Sequence, residues 1–218
     1  MQRVLLSEEM NQLRKELTIM AARVEEDLGK ALAVLRSGDV ELAQEVKESD
    51  KIVDALQLKI EDMALVLIAT QQPVASDLRE LITVLKITSN LERIGDYGVH
   101  IVKVGLRLSK YPPFRSVQRV ERMVETAVLM LKDTVYAYRE RDPDSARKAA
   151  ALDAAIDREH KALTNELLGF IKKQPNFVKA AARLLRLSGN MERLGDHITN
   201  ICEGVIYMIE GSREELNY

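Results

Sequence analysis

A seven-residue stretch that occurs twice places the strongest constraint on how this chain folds. Residues 90–96, Asn-Leu-Glu-Arg-Ile-Gly-Asp, return one hundred residues later as residues 190–196, Asn-Met-Glu-Arg-Leu-Gly-Asp. Five of the seven positions are identical, and the other two exchange one apolar side chain for another. A repeat at a fixed offset indicates a duplicated structural unit. We therefore predict that the chain consists of two related halves.

The apolar residues around both copies follow a helical period. They recur every three or four residues, a spacing that forms a single stripe along one side of a helix. In the first copy Gly98 and Gly105 occupy two of the stripe positions. Both copies are therefore predicted to lie on long amphipathic helices. The stripes are Val84, Ile87, Leu91, Ile94, Ile101 and Leu108 in the first copy, and Leu184, Leu187, Met191, Leu194, Ile198, Ile201, Val205 and Met208 in the second.

Helical periodicity continues through the rest of the chain, and no segment shows the alternation of a strand. Ser7 is predicted to cap the first helix, whereas Gly38 ends it and Asp39 caps the second. Asp142 and Pro143 are predicted to begin a fifth helix that continues to residue 174. The strongest break is at residues 111–113. The predicted fold class is all-α, with two tandem three-helix bundles related by internal duplication, over residues 1–111 and 112–218.

Composition narrows the function classes. The net charge is −2 with both signs interspersed, and without a basic stripe in the sequence no nucleic-acid partner is expected. Cys202 is the single cysteine; it lies on an apolar helix, so a buried structural thiol and a reducing compartment are expected. No segment approaches the ~20 apolar residues of a membrane span, and the N-terminus does not resemble a signal peptide. We therefore expect a cytoplasmic protein without a membrane span.

Each copy of the repeat presents two carboxylates on one side of its helix, because Glu and Asp are four residues apart. This side faces away from the apolar stripe. A glycine inside a helix costs about 1 kcal/mol relative to alanine, so the repeated Gly95 and Gly195 suggest that a neighbouring helix approaches closely there. A second duplicated acidic pair lies on the middle helix of each half. The predicted clusters are Asp50, Asp54, Glu92 and Asp96 in the first half, and Asp153, Asp157, Glu192 and Asp196 in the second.

Four converging carboxylates repel one another unless a cation is present or a proton is bound. Oxygen-rich sites suit hard cations such as Mg²⁺, Ca²⁺, Mn²⁺ or Fe³⁺. His100 and His160 are further candidate ligands, since each lies about one turn from an aspartate of a cluster. The alternative is a solvated acidic face balanced by ion pairs with Arg93 and Arg193. Spacing alone leaves both interpretations open.

Evidence for catalysis in the sequence is weak. A ferritin-like di-iron oxidase needs Glu-x-x-His pairs that face the bundle interior, and only residues 157–160 approach that pattern, once. The chain has no glycine-rich phosphate loop, no nucleophile–base arrangement and no redox cysteine pair. We therefore predict no enzyme, no catalytic residue and no organic cofactor. The alternatives are a metal-dependent helical-bundle oxidase or phosphoesterase, or a metal-storage protein.

Several motifs resemble those of the PhoU family of phosphate-transport accessory proteins. They are Asp77-Leu78-Arg79 and residues 91–96 in the first half, and residues 191–197 and 200–203 in the second. The resemblance covers almost the whole chain, although Asp77-Leu78-Arg79 has no clear counterpart in the second half. It implies a six-helix, two-unit fold and metal binding through the acidic motifs. The identity of the metal stays open among iron, zinc, manganese, magnesium and calcium.

The resemblance also implies a function. PhoU-like proteins are cytoplasmic negative regulators of phosphate uptake and of the phosphate-starvation response. They act as adaptors between the ATPase subunit of the phosphate ABC transporter and a membrane sensor histidine kinase, and they are often homodimers. These partners are therefore expected for this chain.

Overall fold

Helices account for nearly the whole chain. In the computed structural model, which describes residues 2–112 and 114–217, these residues form seven α-helices and one 3₁₀ turn and contain no strand. The all-α class predicted from the sequence is confirmed. The helices are α1 Gln2–Ser37, α2 Val40–Gln71, α3 Ser76–Leu108, α4 Val117–Glu140, α5 Pro143–Ala150, α6 Asp153–Lys173 and α7 Val178–Glu210, with the 3₁₀ turn at Pro175–Phe177.

Local side-chain chemistry defines several helix ends. Gly38 follows α1 with a φ of 70°, in the left-handed region that glycine adopts without strain. Asp39 then caps α2, because its carboxylate accepts hydrogen bonds from two free backbone N–H groups of the first turn. Asp142 caps α5 in the same way. The prediction that Ser7 caps the first helix is wrong: α1 begins at Gln2, and the intervening residues contain no glycine or proline to interrupt a helix.

The two halves pack as bundles that meet along their last long helices. The first bundle consists of α1, α2 and α3, and the second of α4, α6 and α7 with the short α5. α3 packs against α7 at the centre of the molecule, and α1 also packs against α4. The central helices are antiparallel, since Thr83 lies beside Gly204 whereas Asn90, further along α3, lies beside His197, earlier in α7. We keep residues 1–111 and 112–218 as the predicted extents of the two repeats.

Both apolar stripes predicted from the repeat are buried along their whole length. Each fully buried aliphatic side chain contributes roughly 1.5–3 kcal/mol through removal from water. The stripes therefore supply the core without help from any ligand. Polar residues occupy the faces of the helices between the stripes. Within the described ranges, no helix is long and apolar enough to cross a bilayer.

Cys202 belongs to this core, as predicted. It is fully buried, and its sulfur lies 3.1 Å from the Thr134 hydroxyl of α4. Burial raises the pKa of the thiol to about 12. Since the thiolate is the reactive form of cysteine, this side chain packs rather than reacts.

The predicted fifth helix is interrupted. Residues 143–150 form α5, the backbone turns at Ala151 and Leu152, and α6 begins at Asp153. The turn is closed by hydrogen bonds from the Ala151 N–H to the Arg147 carbonyl and from the Leu152 N–H to the Ala149 carbonyl. α5 packs against both α4 and α7. This packing directs α5 along a separate path and places Asp153 at the first turn of α6.

A buried carboxylate joins the two halves. Glu80 of α3 is almost fully buried and accepts hydrogen bonds from the guanidinium of Arg14 at 2.5 and 2.9 Å. Arg141, which follows α4 in the second half, donates to the same carboxylate at 3.0 Å. Burial by itself would raise the pKa of Glu80, but the two arginines hold it below its ordinary value. The ionised carboxylate is thus the stable form in the folded protein.

Replacing Glu80 by glutamine is expected to destabilise the protein by about 2 kcal/mol at neutral pH, because three charge-assisted hydrogen bonds from Arg14 and Arg141 are weakened. The pKa of Glu80 is lower in the folded than in the unfolded state, so its contribution is present above the unfolded-state pKa and is lost as pH falls through the folded-state pKa. Urea unfolding of the wild type and Glu80→Gln at pH ~7 and ~3 measures this. The exposed Glu140→Gln is the control. An equal difference between wild type and Glu80→Gln at both pH values would contradict the ion-pair interpretation.

Candidate functional site

The first acidic cluster lies where α2 crosses the repeated motif of α3. A Cβ placed on Gly95 would lie 3.6 Å from the Asp50 carboxylate and 3.6 Å from Val53, both on α2. These are ordinary van der Waals distances, so the close helix approach predicted from the repeated glycine is not found at Gly95. Asp50, Glu92 and Asp96 are partly buried, whereas Asp54 is exposed.

The carboxylates of this cluster interact electrostatically. Burial, together with the negative charges of Asp54 and Asp96, raises the pKa of Asp50 to about 6. Burial also raises the pKa of Glu92, to which the charges of Asp96, Asp54 and Asp50 contribute. The negative charges of Asp54 and Asp96 thus act on both Asp50 and Glu92. Like charges in a partly desolvated place are what a bound cation would stabilise.

The second cluster repeats this arrangement on α6 and α7, with closer packing. A Cβ on Gly195 would lie only 1.9 Å from Oδ1 of Asp153. That oxygen is buried and has no hydrogen-bond partner among the described residues. Burial, together with the charges of Asp157, Asp196 and Glu192, raises the pKa of Asp153 to about 7. Burial raises the pKa of Asp196 as well.

Ion pairing with the motif arginines occurs in only one half. In the first cluster Arg93 lies 3.4 Å from Glu92 and 3.3 Å from Asp96. Its side chain is 58% exposed, and exposed pairs of this kind contribute only about 0–1 kcal/mol. In the second cluster Arg193 forms no ion pair with a described residue. Arginine pairing therefore does not account for both acidic clusters.

The donor atoms suit a hard cation, but their positions are not those of a closed metal site. Carboxylate oxygens are the ligands that Mg²⁺, Ca²⁺ and Mn²⁺ prefer, and the unpartnered Asp153 oxygen lacks the donor that buried acceptors normally have. Within the described residues, no three His, Cys, Asp or Glu side chains are arranged to hold one ion. Metal binding at either cluster therefore requires its carboxylates to rotate.

Two of the three histidines lie within hydrogen-bond distance of side chains outside the clusters. His160 has its Nδ1 3.0 Å from the Ser188 hydroxyl on α7. His197 has its Nδ1 2.8 Å from the Asn90 side-chain oxygen, and burial lowers its pKa. His100 is exposed and lies near the ring of Tyr97.

One member of the first cluster was missed by the sequence analysis. Asp27 of α1 is only 4% exposed, burial raises its pKa, and its charge raises the pKa of Asp50. A signal was present, because Asp27 lies three residues after the core residue Val24 and so at the edge of the apolar stripe. Asp50 and Asp153 occupy equivalent positions of the two halves, 103 residues apart. At the same offset, the position equivalent to Asp27 is occupied by the apolar Met130. The second cluster therefore has no counterpart of the Asp27 carboxylate, and the two clusters differ in charge.

Replacing Gly195 by alanine is expected to expel the Asp153 carboxylate from its position, because Cβ and Oδ1 cannot both occupy it. The pKa of Asp153 should then fall from about 7 towards the ordinary value near ~4 for an exposed aspartate. Carboxyl carbon NMR over a pH titration measures this. Gly95→Ala is the matched control, since its Cβ makes ordinary contacts and Asp50 should keep its raised pKa. An unchanged Asp153 titration in Gly195→Ala would contradict the packing described here.

Known sequences match this chain over nearly its whole length. The PhoU domain family matches residues 17–104 and again residues 120–205. A phosphate-specific transport system accessory protein PhoU homolog from Clostridium acetobutylicum is 34% identical over 218 residues, the full length of both chains. A protein of the same description from Caulobacter vibrioides is 37% identical over 210 residues, which cover 96% of this chain and 90% of the relative.

Solved structures show the same architecture. The crystal structure of PhoU from Pseudomonas aeruginosa superposes with a TM-score of 0.91 at 29% identity, over 94% of this chain and 99% of that one. The phosphate transport system regulatory protein PhoU from Streptococcus pneumoniae superposes with a TM-score of 0.87 at 30% identity, over 96% and 99% of the two chains.

Proposed function

This chain belongs to the PhoU family, and from that premise we propose that it is an accessory and regulatory protein of phosphate uptake. The observation that carries the proposal is the full-length match to relatives described as phosphate-specific transport system accessory proteins. Both halves contribute to that match. The role therefore belongs to the whole two-bundle molecule.

The regulation that we propose is negative. When phosphate is plentiful, the protein restrains the phosphate ABC transporter and the phosphate-starvation response, as an adaptor between the transporter ATPase and a membrane sensor histidine kinase. It works in the cytoplasm, as a homodimer and without catalytic turnover. Burial raises the pKa of the Cys202 thiol to about 12, so this side chain takes no part as a nucleophile in the proposed role.

We further propose that the two acidic clusters bind metal ions. Asp50, Asp54, Glu92 and Asp96 would hold one site, and Asp153, Asp157, Glu192 and Asp196 the other. The support is the raised pKa of a carboxyl in each cluster and the unpartnered Asp153 oxygen. A cation there would neutralise the repulsion and fix α2 against α3, and α6 against α7. Because each cluster lies at a helix–helix seam, binding would stiffen each bundle.

The test is binding of the purified chain to the purified transporter ATPase and, separately, to the cytoplasmic part of the sensor kinase. Calorimetry with and without divalent metal should give saturable binding to at least one of them. The Asp96→Ala, Asp196→Ala variant indicates whether the metal sites contribute. No binding to either partner under both conditions would contradict the adaptor proposal.

The competing classes are separated by activity measurements. A metal-dependent oxidase would consume Fe²⁺ and O₂ catalytically, and a phosphoesterase would release phosphate in a manner lost on Asp96→Ala. A storage protein would take up many ions per chain instead of a few. We expect none of these.

A further inference from the structure

Two stretches of the chain carry cations and no acidic residue. Residues 97–120 contain five Lys or Arg side chains and residues 167–191 contain five more, with no Asp or Glu in either stretch. They are separated by a segment with many acidic residues, so the sequence shows no continuous basic stripe. The first stretch comprises the C-terminal part of α3, the linker and the start of α4. The second comprises the end of α6, the 3₁₀ turn and the start of α7.

The fold brings these two stretches together at one end of the molecule. Arg183 donates a hydrogen bond to the Tyr111 hydroxyl at 3.0 Å. Phe114 stacks on Phe170 with ring centroids 5.7 Å apart, and Phe177 packs edge-on against both rings. We call this end of the molecule, with the ten cations of the two stretches, the basic end. The cations are Lys103, Arg107, Lys110, Arg115, Arg119, Lys172, Lys173, Lys179, Arg183 and Arg186.

Most of these charges are free to meet a partner. Of the ten, Arg119 alone forms ion pairs with described residues, Glu159 and Glu166. All of the others are exposed except for the partly buried Arg183. The chain has 32 cations and 34 acids in total, so the remainder of the molecule has 22 cations against 34 acids. The ten cations form a locally positive surface, with Glu121, Glu159 and Glu166 at its edge in ion pairs with Arg36, Arg119 and Arg122.

Exposed apolar side chains lie among the cations. Leu168 is 60% exposed, one turn before Lys172, and Val178 is 44% exposed beside Lys179. Basic residues intermixed with exposed apolar ones are typical of protein surfaces that adsorb to anionic lipid, where the charge contacts headgroups and the apolar atoms enter the interface. Single-stranded nucleic acid would instead favour open aromatic platforms for base stacking. The aromatic rings here pack on one another.

We propose that the basic end binds the surface of a membrane that contains anionic phospholipid. The acidic remainder of the molecule is repelled by such a surface, so the protein binds end-on, with the tip formed by the end of α6 and the start of α7 against the headgroups. The aspartates of the second acidic cluster on α6 lie at the opposite end of that helix from Lys172 and Lys173. The chain contacts the headgroup region without entering the hydrocarbon core.

Vesicle flotation with the full-length chain tests this proposal. Vesicles of phosphatidylcholine with about 30% phosphatidylglycerol should bind the protein, and pure phosphatidylcholine should not. Chelator is present throughout, so that a divalent ion cannot bridge acidic residues to lipid. Raising NaCl from ~0.1 to ~0.5 M should release the protein, because the screening length falls. Equal binding to neutral vesicles, or binding that persists in high salt, would overturn the proposal.

The charge-reversal variant Lys172→Glu, Lys173→Glu, Lys179→Glu should lose at least about a hundredfold in affinity, since each basic residue near an anionic surface contributes roughly a factor of five. The control Lys132→Glu, Arg139→Glu, Lys148→Glu makes the same change in net charge outside the basic end and should bind almost as the wild type does. Circular dichroism confirms that both variants are folded; if the first is not, Lys110→Glu, Arg115→Glu replaces it. Equal loss in test and control variants, or tighter binding to an oligonucleotide than to vesicles, would overturn the membrane assignment.

Discussion

Replacing Gly105 by alanine is expected to lower the stability of the protein by about 2 kcal/mol. An added Cβ would lie 2.9 Å from Cα of Leu35, and within 3.2 Å of the Leu35 nitrogen and the Val34 carbonyl oxygen. These are backbone atoms of α1, so no rotamer change can relieve the contact and α1 must move. Overpacking of this kind costs about 1–3 kcal/mol or more, whereas the gain in helix propensity returns at most about 1 kcal/mol.

Gly29→Ala is the matched control, because its Cβ would meet no atom within 4 Å and the residue is exposed on α1. It should stabilise the protein by up to about 1 kcal/mol. Thermal unfolding separates the two variants, since 1 kcal/mol shifts Tm by roughly 2–4 °C for a chain of this size. A Tm for Gly105→Ala at or above that of Gly29→Ala would show that α1 and α3 are less tightly packed than described.

The same glycine shows what the repeat could and could not predict. The spacing of Gly105 and Val205 in the two stripes predicted that both positions are buried, and both are. The spacing did not predict that the backbone of α1 contacts α3 directly at Gly105. That distance depends on side chains of another helix, here Leu35, and the sequence of α3 alone does not contain it.

Features set by local chemistry were predictable, whereas features set by tertiary contact were not. The caps Asp39 and Asp142 use side chains that bond to their own neighbours, and the apolar period fixed the buried faces. The turn at Ala151 and Leu152 has no glycine or proline to mark it; it follows from the packing of α5 on α4 and α7. The basic end was overlooked for the same reason, since its two stretches are far apart in sequence.

The prediction with the largest expected effect concerns metal at the acidic clusters. Protein purified without chelator should retain metal, and the Asp96→Ala, Asp196→Ala variant should lose more than about tenfold in affinity, because each cluster loses a carboxylate ligand. The control is Glu41→Ala, Glu45→Ala, which removes a pair of the same spacing and charge from the exposed face of α2. Elemental analysis and equilibrium dialysis against Mn²⁺ measure both.

The affinity of the acidic clusters for metal should also depend on pH, and the two clusters should release their metal in a predictable order. A carboxylate binds metal in its ionised form, so protons compete below its pKa. Burial and the neighbouring acids raise the pKa of Asp153 to about 7 and that of Asp50 to about 6. As pH falls from 8, the second cluster should therefore release its metal before the first. Single-cluster variants, Asp96→Ala or Asp196→Ala, assign each step of the release.

Metal removal should leave the fold intact. Both stripes are buried independently of the acidic residues, unlike small metal-dependent domains in which binding and folding are one event. Helical circular dichroism should therefore be unchanged by chelator, whereas amide exchange at the α2–α3 and α6–α7 seams should become faster as carboxylate repulsion returns. If the wild type and the Asp96→Ala, Asp196→Ala variant instead hold equal and substoichiometric metal, the acidic pairs form a solvated face, and the metal proposal is wrong even though membership of the PhoU family stands.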